Sequence, residues 1–343
     1  MTYHVTCSTD NNYLQHCTAM LCSLFENNRQ LRFHVHLLHS ELTKASMTFL
    51  TAFCKKYENE ILYYKVDDSI LANVCWREVS YTTIATYYRI LLPSLLREDV
   101  ERVLYLDCDV IVMGSVGYLF NLDLNNYGLA AVKDASPYDN LHREIMGIEQ
   151  DGRAFCAGVL MINLDYWRKH NCQEALLAFA NTKLEKCYLD DQDALNNVFR
   201  NRWFMLPYKW GRTPLSIGVA DPCVKHFDVY EYAYEPQIIH YAGELKPWCD
   251  IWFPERKYYL HYLNLSKYPH SQKKPVNRAF AARTRLRILR YFVAKYIHPF
   301  VPNIIEVVVE DIVALLKLTI ALLGSVRSAR HLLITRWMHK YNL

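Results

Sequence analysis

No two of the eleven cysteines in this 343-residue sequence form a CxxC pair, and none is set beside histidines in a zinc-binding spacing. They are scattered through apolar runs, as at Cys7, Cys108 and Cys156. That pattern excludes a zinc-ribbon or finger module and fits buried free thiols in a reducing compartment. The N-terminus has no basic n-region and no long apolar core: Met1-Thr2-Tyr3-His4-Val5 runs straight into a strand-like segment. The expected location is therefore the cytoplasm. There is no internal repeat, no low-complexity block and no recognised nucleic-acid motif, so solenoids, disordered linkers and nucleic-acid partners drop out.

What is present suffices for a large core. Hydrophobic residues make up 52% of the chain and charged residues 22%, a balance that suits one large α/β domain with an appendage. Charge is unevenly placed. Residues 266–343 carry 14 Lys and Arg against 3 Asp and Glu, whereas residues 1–265 carry 25 against 32. An acidic body with a basic tail suggests an anionic surface as partner.

Short apolar runs alternate with helix-period segments through the first half, the pattern of βαβ units around a mostly parallel, doubly wound sheet. Strands are expected at Tyr3–Thr9, Arg32–His39 and Ile61–Val66, with helices at Tyr13–Glu26 and Thr43–Tyr57 between them. Thr83–Leu96 reads as a further helix, and Val100–Val112 as one buried strand interrupted by two acids. Later strands are expected at Leu129–Val132, Gly158–Asn163 and Ile238–Tyr241, and helices at Cys172–Glu185 and Asp193–Phe199. From about Ser266 the character changes to a basic helix, Arg278–Arg290, followed by the apolar segment Ile304–Val326. Glu306, Glu310, Asp311 and Lys317 lie inside that segment, which favours an interfacial or packing helix over a membrane span.

The run Val103-Leu104-Tyr105-Leu106-Asp107-Cys108-Asp109-Val110-Ile111-Val112 sets two acids two residues apart within apolar surroundings. Two poorly solvated carboxylates repel, and a divalent cation relieves both problems. At the carboxyl edge of an open α/β sheet they would stand where such folds bind ligands. The plainer reading is a salt-bridged pair at a strand end. Further on, Ile239-His240-Tyr241-Ala242-Gly243-Glu244-Leu245-Lys246-Pro247-Trp248 offers an imidazole as third ligand, a glycine for close backbone approach to phosphate, and a lysine to neutralise a diphosphate.

These motifs, with Ser8-Thr9-Asp10-Asn11-Asn12-Tyr13, Thr86-Tyr87-Tyr88-Arg89, Phe155–Leu164 and Asp190-Asp191-Gln192-Asp193-Ala194-Leu195-Asn196, resemble those of glycosyltransferase family 8 over roughly residues 1–255. Family 8 comprises retaining sugar transferases that include bacterial lipopolysaccharide galactosyl- and glucosyltransferases. The resemblance implies a GT-A type nucleotide-sugar-binding domain at residues 1–265, with residues 266–343 as a basic helical appendage. It further implies a UDP-hexose donor held with Mn²⁺, or Mg²⁺ in its place. Ser8, Asp10 and Asn12 would lie against uridine and ribose; Asp107, Asp109 and His240 would hold the metal; Arg89 and Asp191 would face the donor sugar. Gly243 and Lys246 would meet the diphosphate, and Gln192 would lie near the anomeric carbon. The family usually has Asn where this chain has Cys156, so the sugar contact that Asn would make is in question.

Retention requires either a covalent intermediate or attack from the leaving-group face. Gln192 is an amide and a poor nucleophile, Asp191 a competent one if suitably placed, and front-face attack is the favoured expectation. Asp10 also fits a helix cap, and Arg89 a surface ion pair. Trp248 is the best candidate among the aromatics for a sugar-stacking platform. Arginines interleaved with apolar residues from Arg278 to Arg290 suit an anionic membrane surface, with intramolecular or subunit packing as the alternative. The expected function is therefore a metal-dependent hexosyltransferase acting on lipopolysaccharide or another surface glycan, peripheral to the inner face of the membrane. A catalytically silent carbohydrate-binding protein on the same fold, and more remotely a nucleotidyltransferase, are the competing readings.

Overall fold

The computed structural model describes residues 2–74, 83–134, 140–148, 153–182, 188–214, 236–269 and 274–296. In chain order the elements are β1 (Thr2–Ser8), α1 (Leu14–Glu26), β2 (Arg32–His39), α2 (Lys44–Lys56) and β3 (Glu60–Lys65). After the 3₁₀ segment Ile84–Leu91 come α3 (Leu92–Leu95), β4 (Arg102–Leu106), β5 (Val110–Val112), α4 (Gly117–Phe120) and β6 (Leu129–Lys133). Then follow α5 (Asn140–Ile145), β7 (Phe155–Asn163), α6 (Leu164–Lys169), α7 (Cys172–Ala180), α8 (Asp191–Phe199), β8 (Trp203–Leu206) and β9 (Ile238–His240). Two helices close the described chain, α9 (Arg256–Ser266) and α10 (Arg278–Tyr296).

Seven strands form one sheet in the order β3-β2-β1-β4-β7-β6-β8, and β5 pairs with β9 in a second. Within the large sheet β7 alone runs against its neighbours, while the β3-β2, β2-β1, β1-β4 and β6-β8 pairs are parallel. The chain builds outward from β1 to β3 and returns to β4 on the other side of β1, so the order reverses between β1 and β4. At such a switch point the carboxyl ends of two strands diverge and leave a crevice. Ser8 ends β1 and Asp107 follows β4.

The alternation expected for the first half is present to within a residue or two at each boundary. Thr43 caps α2 by accepting a hydrogen bond from the Ser46 amide at 3.1 Å, which fixes where that helix begins. Two expectations are corrected. Val100–Val112 is not one strand: β4 stops at Leu106, the chain turns through the acids, and β5 leaves to pair with β9. Thr83–Leu96 is not one α-helix, because Pro93 has no N–H to give the Arg89 carbonyl and the Arg89 side chain takes the Thr86 carbonyl. The helix expected over Cys172–Glu185 stops at Ala180, and residues 183–187 are outside the described ones. Sequence reading did not find β8 or α9.

The core under the second half of the sheet gathers Tyr87, Leu91, Val103, Leu160, Ile162, Leu164, Trp167, Leu176, Leu195 and Phe199, all essentially buried. Trp167 fixes its indole there by donating to the Gly128 carbonyl at 2.7 Å. Most of the described chain before residue 274 forms one compact unit, and Cys249–Phe253 with residues 274–296 belong to a second. In the second, Trp252 stacks on Phe292 of α10 with centroids 6.3 Å apart. The apolar segment Ile304–Val326 lies outside the described residues; among those, no helix is long and apolar enough to cross a membrane.

Candidate active site

The turn after β4 carries Asp107 and Asp109, and the β5–β9 ladder places Val110 opposite His240. Tyr241 donates its amide to the Asp109 carbonyl at 2.9 Å, which extends that pairing into the turn. Residues far apart in the chain thus meet through backbone hydrogen bonds. Ligand atoms of Asp107, Asp109 and His240 all lie within 4.8 Å of one another.

Each acid has one oxygen tied to a cation and one turned toward the imidazole. Asp107 Oδ1 accepts from Arg89 Nη2 at 3.0 Å and from the Tyr105 hydroxyl at 2.9 Å, while its Oδ2 stands 3.7 Å from His240 Nε2. Asp109 Oδ2 accepts from Lys246 Nζ at 2.5 Å, while its Oδ1 stands 3.3 Å from His240 Nε2. That Oδ1 is buried and makes no hydrogen bond. A buried carboxylate oxygen without a donor is costly, and together with two neighbouring acceptors it forms a hard-donor set that fits a divalent cation.

The local fields follow from these contacts. Burial works to raise the Asp109 carboxyl, but Lys246 and His240 outweigh it and hold it far below the usual carboxylate range. Burial works to depress His240, but the Cys156 sulfur and Asp109 outweigh it and raise the imidazole. Lys246 is only 5% exposed and also donates to the Tyr241 carbonyl at 2.9 Å.

Arg89 organises the other flank. Its guanidinium, 2% exposed, donates from Nε to the Thr86 carbonyl at 2.9 Å, from Nη1 to the Ala157 carbonyl at 2.5 Å and from Nη2 to Asp107. It also lies over the Tyr105 ring, 4.1 Å from the centroid. The surface ion pair considered from sequence is therefore a buried one. Asp191 Oδ2 is 2.9 Å from Arg89 Nε, yet that N–H is directed at Thr86 and the oxygen accepts no hydrogen bond. Burial, the largest influence, lifts the Asp191 carboxyl to about 7 despite the pull of Arg89, and Asp107 and Asp190 add to the rise.

The motif from Asp190 to Asn196 divides its work along α8. Asp190 sits at φ 53° and ψ −126°, a strained conformation for a residue with a side chain, immediately before Asp191. Gln192 is held at both ends: Oε1 accepts from the Ala157 amide and Nε2 donates to Asp134, each at 2.9 Å. Asp193 and Asn196 are structural. Asp193 accepts from His142 at 2.7 Å and from the Tyr188 and Leu189 amides at 2.6 and 2.9 Å, and Asn196 pairs with both backbone groups of Phe155.

The remaining sequence candidates fall near the end of β1 and after β9. Ser8 is joined to the acid turn by the Cys108 thiol, which donates to its carbonyl at 3.1 Å. Asp10 Oδ1 accepts from the Tyr13 amide at 2.8 Å and so closes the turn before α1 without capping the helix, and Asn12 is exposed in the same loop. Gly243 adopts φ +75° with open space where a Cβ would stand, a backbone setting that favours glycine. Cys156 lies with Sγ 3.4 Å from His240 Nδ1. Trp248 stacks on His16, centroids 3.5 Å apart, and meets the Tyr13 and Tyr259 rings at 5.8 and 5.7 Å, so it is packed among aromatics of the fold.

Sequence reading missed Tyr105, Gly158 and the Ala157 carbonyl. Tyr105 sits inside the Leu-Tyr-Leu run before the acids, where it passes for an ordinary strand aromatic. Gly158 matters because a Cβ there would lie 2.1 Å from His240 Cε1. No local signal distinguishes that glycine from one in any strand.

Residues 4–252 match the sequence model of Glycosyl transferase family 8. The chain is 30% identical to General stress protein A of Bacillus subtilis over 77% of its own length and 94% of that protein's. It is 25% identical to the Escherichia coli lipopolysaccharide 1,2-glucosyltransferase over 84% of its length and 86% of the relative's. The solved structure of the galactosyltransferase LgtC with donor and acceptor sugar analogues has the same fold, with TM-score 0.70 and 21% identity over 78% of this chain and 98% of that one. The mostly parallel sheet, its reversed β7 and the helices that flank it are those of the GT-A fold, and the chain belongs to glycosyltransferase family 8.

Proposed function

We propose that this glycosyltransferase moves galactose or glucose, with retention of configuration, from a UDP-sugar to lipopolysaccharide or another surface glycan, assisted by Mn²⁺ or Mg²⁺ at Asp107, Asp109 and His240. The observation that carries the reading is the convergence of Asp107 Oδ2, Asp109 Oδ1 and His240 Nε2, with the Asp109 oxygen buried and unbonded. A cation bound there would supply positive charge to a nucleotide diphosphate. Lys246 holds Asp109 in place from the other side and adds a second positive charge beside that position. Ser8, Asp10 and Asn12, at the carboxyl end of β1, are the groups for uridine and ribose.

Asp191 presents an unbonded carboxylate oxygen to the donor sugar as an acceptor for a hydroxyl, and Arg89 acts on the sugar through Asp191 and Asp107. Gln192, held at both ends, serves as a fixed wall near the anomeric carbon. Gln192 is an amide and a poor nucleophile, and front-face attack is the mode proposed here. A glycosyl adduct on Asp191 detected by mass spectrometry would overturn that choice. Similarity to the Escherichia coli lipopolysaccharide 1,2-glucosyltransferase supports the donor and acceptor classes named here.

The basic helix α10, with Arg278, Arg283, Arg285 and Arg287, is proposed to rest on an anionic membrane surface beside a lipid-linked acceptor. Replacing those four arginines by Gln should abolish flotation with anionic vesicles and leave UDP release unchanged. The enzymatic reading is tested by UDP release from UDP-galactose, UDP-glucose and UDP-N-acetylglucosamine with Mn²⁺ or with a chelator. Turnover of a UDP-hexose that the chelator abolishes is expected. Release of pyrophosphate in place of UDP, or no turnover of any donor, would overturn it.

A further inference from the structure

Cys156 and Gly158 are two apart on β7, and both meet the His240 ring. A Cβ on Gly158 would strike the ring's Cε1 at 2.1 Å and its Nε2 at 2.4 Å, and Cys156 Sγ reaches its Nδ1 at 3.4 Å. Gly158 supplies the space for the ring and Cys156 the only side-chain partner that its Nδ1 has among the described residues.

We infer that Cys156 is a positioning residue, whose sulfur accepts the Nδ1–H of His240 and so fixes the ring with its Nε2 facing Asp107 and Asp109. The inference rests on the reading of His240 as a metal ligand. The two ring nitrogens point in different directions, so a sulfur that meets Nδ1 cannot share a cation with Nε2. Cys156 therefore acts through His240 and is not a fourth ligand. A ligating imidazole needs such a partner to hold its tautomer and its orientation, and loss of one typically weakens metal binding about 10–100-fold. Sulfur is a weak acceptor, which places this chain at the lower end of that range. The same placement turns the thiol toward the imidazole, where the amide usual in the family would extend one bond further.

The test has two arms on the full chain. In the first, Mn²⁺ is titrated calorimetrically in the presence of UDP into the wild type and into Cys156→Ala, Cys156→Val and Cys156→Ser. Ala and Val should bind about tenfold more weakly with unchanged melting temperatures, and Ser, which keeps an acceptor, should fall between them and the wild type. In the second, the His240 ring is observed by nitrogen-detected NMR without metal. The wild type should show a slowly exchanging Nδ1 proton that Ala and Val lose. Equal Mn²⁺ affinity in all four proteins, or the same protected Nδ1 proton in Cys156→Ala, would overturn the inference. If the wild type bound no Mn²⁺ with UDP, the metal reading itself would fall, and the NMR arm would still decide whether Cys156 orients the ring.

Discussion

The two acids of the turn stand two residues apart, each tied to one buried cation, and differ in how that tie is completed. On the Arg89 side, a guanidinium spends its hydrogen bonds on the Thr86 and Ala157 carbonyls and on Asp107, and a tyrosine completes the pairing. On the His240 side, Lys246 takes one oxygen of Asp109 and the other is left buried with no donor. A buried cation meets one oxygen of each acid, and what differs is that the second oxygen of Asp109 is buried without a hydrogen bond and so open to a ligand. The difference separates what holds the site from what the site holds.

Disturbing the ligand side should affect turnover most. Asp109→Asn removes the negative charge from the open oxygen, and UDP release should fall by about 10²–10³-fold, the scale of losing one preorganised electrostatic contact. Loss of Mn²⁺-dependent stabilisation in thermal melts should accompany it.

Disturbing the scaffold side should register first in stability. Arg89→Met leaves Asp107 and Asp191 without their buried counter-charge, and unfolding in urea should show a loss of about 3–5 kcal/mol. Should Arg89→Met instead keep its stability and lose only activity, the division between the two sides would be wrong.

Gly158→Ala addresses the boundary between them. The added methyl group would meet an imidazole ring held on a short strand, not the end of a flexible side chain. Overpacking of this kind costs about 1–3 kcal/mol, and Mn²⁺ affinity measured with UDP should drop by about tenfold as the ring is displaced.

The smallest effect is acid lability from outside the turn. Burial is the largest influence on His16 and His36 and lowers each to about 3. The unfolded chain takes up protons at both below about 6.5 and the folded chain does not, so their contribution is present above that pH and lost as pH falls toward 3. Asp191 opposes them: with its folded value near 7, the folded state gains a proton there as pH falls from 7 toward the ordinary carboxylate range. Among these three groups, two protons against one leave about one net proton, a contribution of about 1.4 kcal/mol lost per pH unit between pH 6 and 4. Replacing His36 alone by Gln should flatten this slope in urea titrations run across that range.

The parallel half of the sheet was legible in the sequence because its information is local. From β1 through β3 the period of apolar residues changes with each element, and polar turns such as Asp10-Asn11-Asn12 mark the joints. The corner that carries the chemistry was legible only as residue types. Nothing near Val110 announces that it will leave the main sheet, since the partner that draws it away is His240, distant in sequence. The apolar residues on both sides of the acids read as one strand for that reason. β8 was missed because Trp203-Phe204-Met205-Leu206 is a short run without alternation. Asp107, Asp109, His240 and Lys246 could be singled out by their chemistry, whereas Gly158 and Tyr105 gain their roles only from what the fold places against them.

The proposed chemistry depends on a cation held by Asp107, Asp109 and His240. Calorimetric titration of Mn²⁺ in the presence of UDP, with the wild type beside Asp109→Asn, tests it most directly. One Mn²⁺ per chain in the wild type, bound at least about 100-fold more weakly in Asp109→Asn, is the expected result. Equal binding by the two proteins would contradict it.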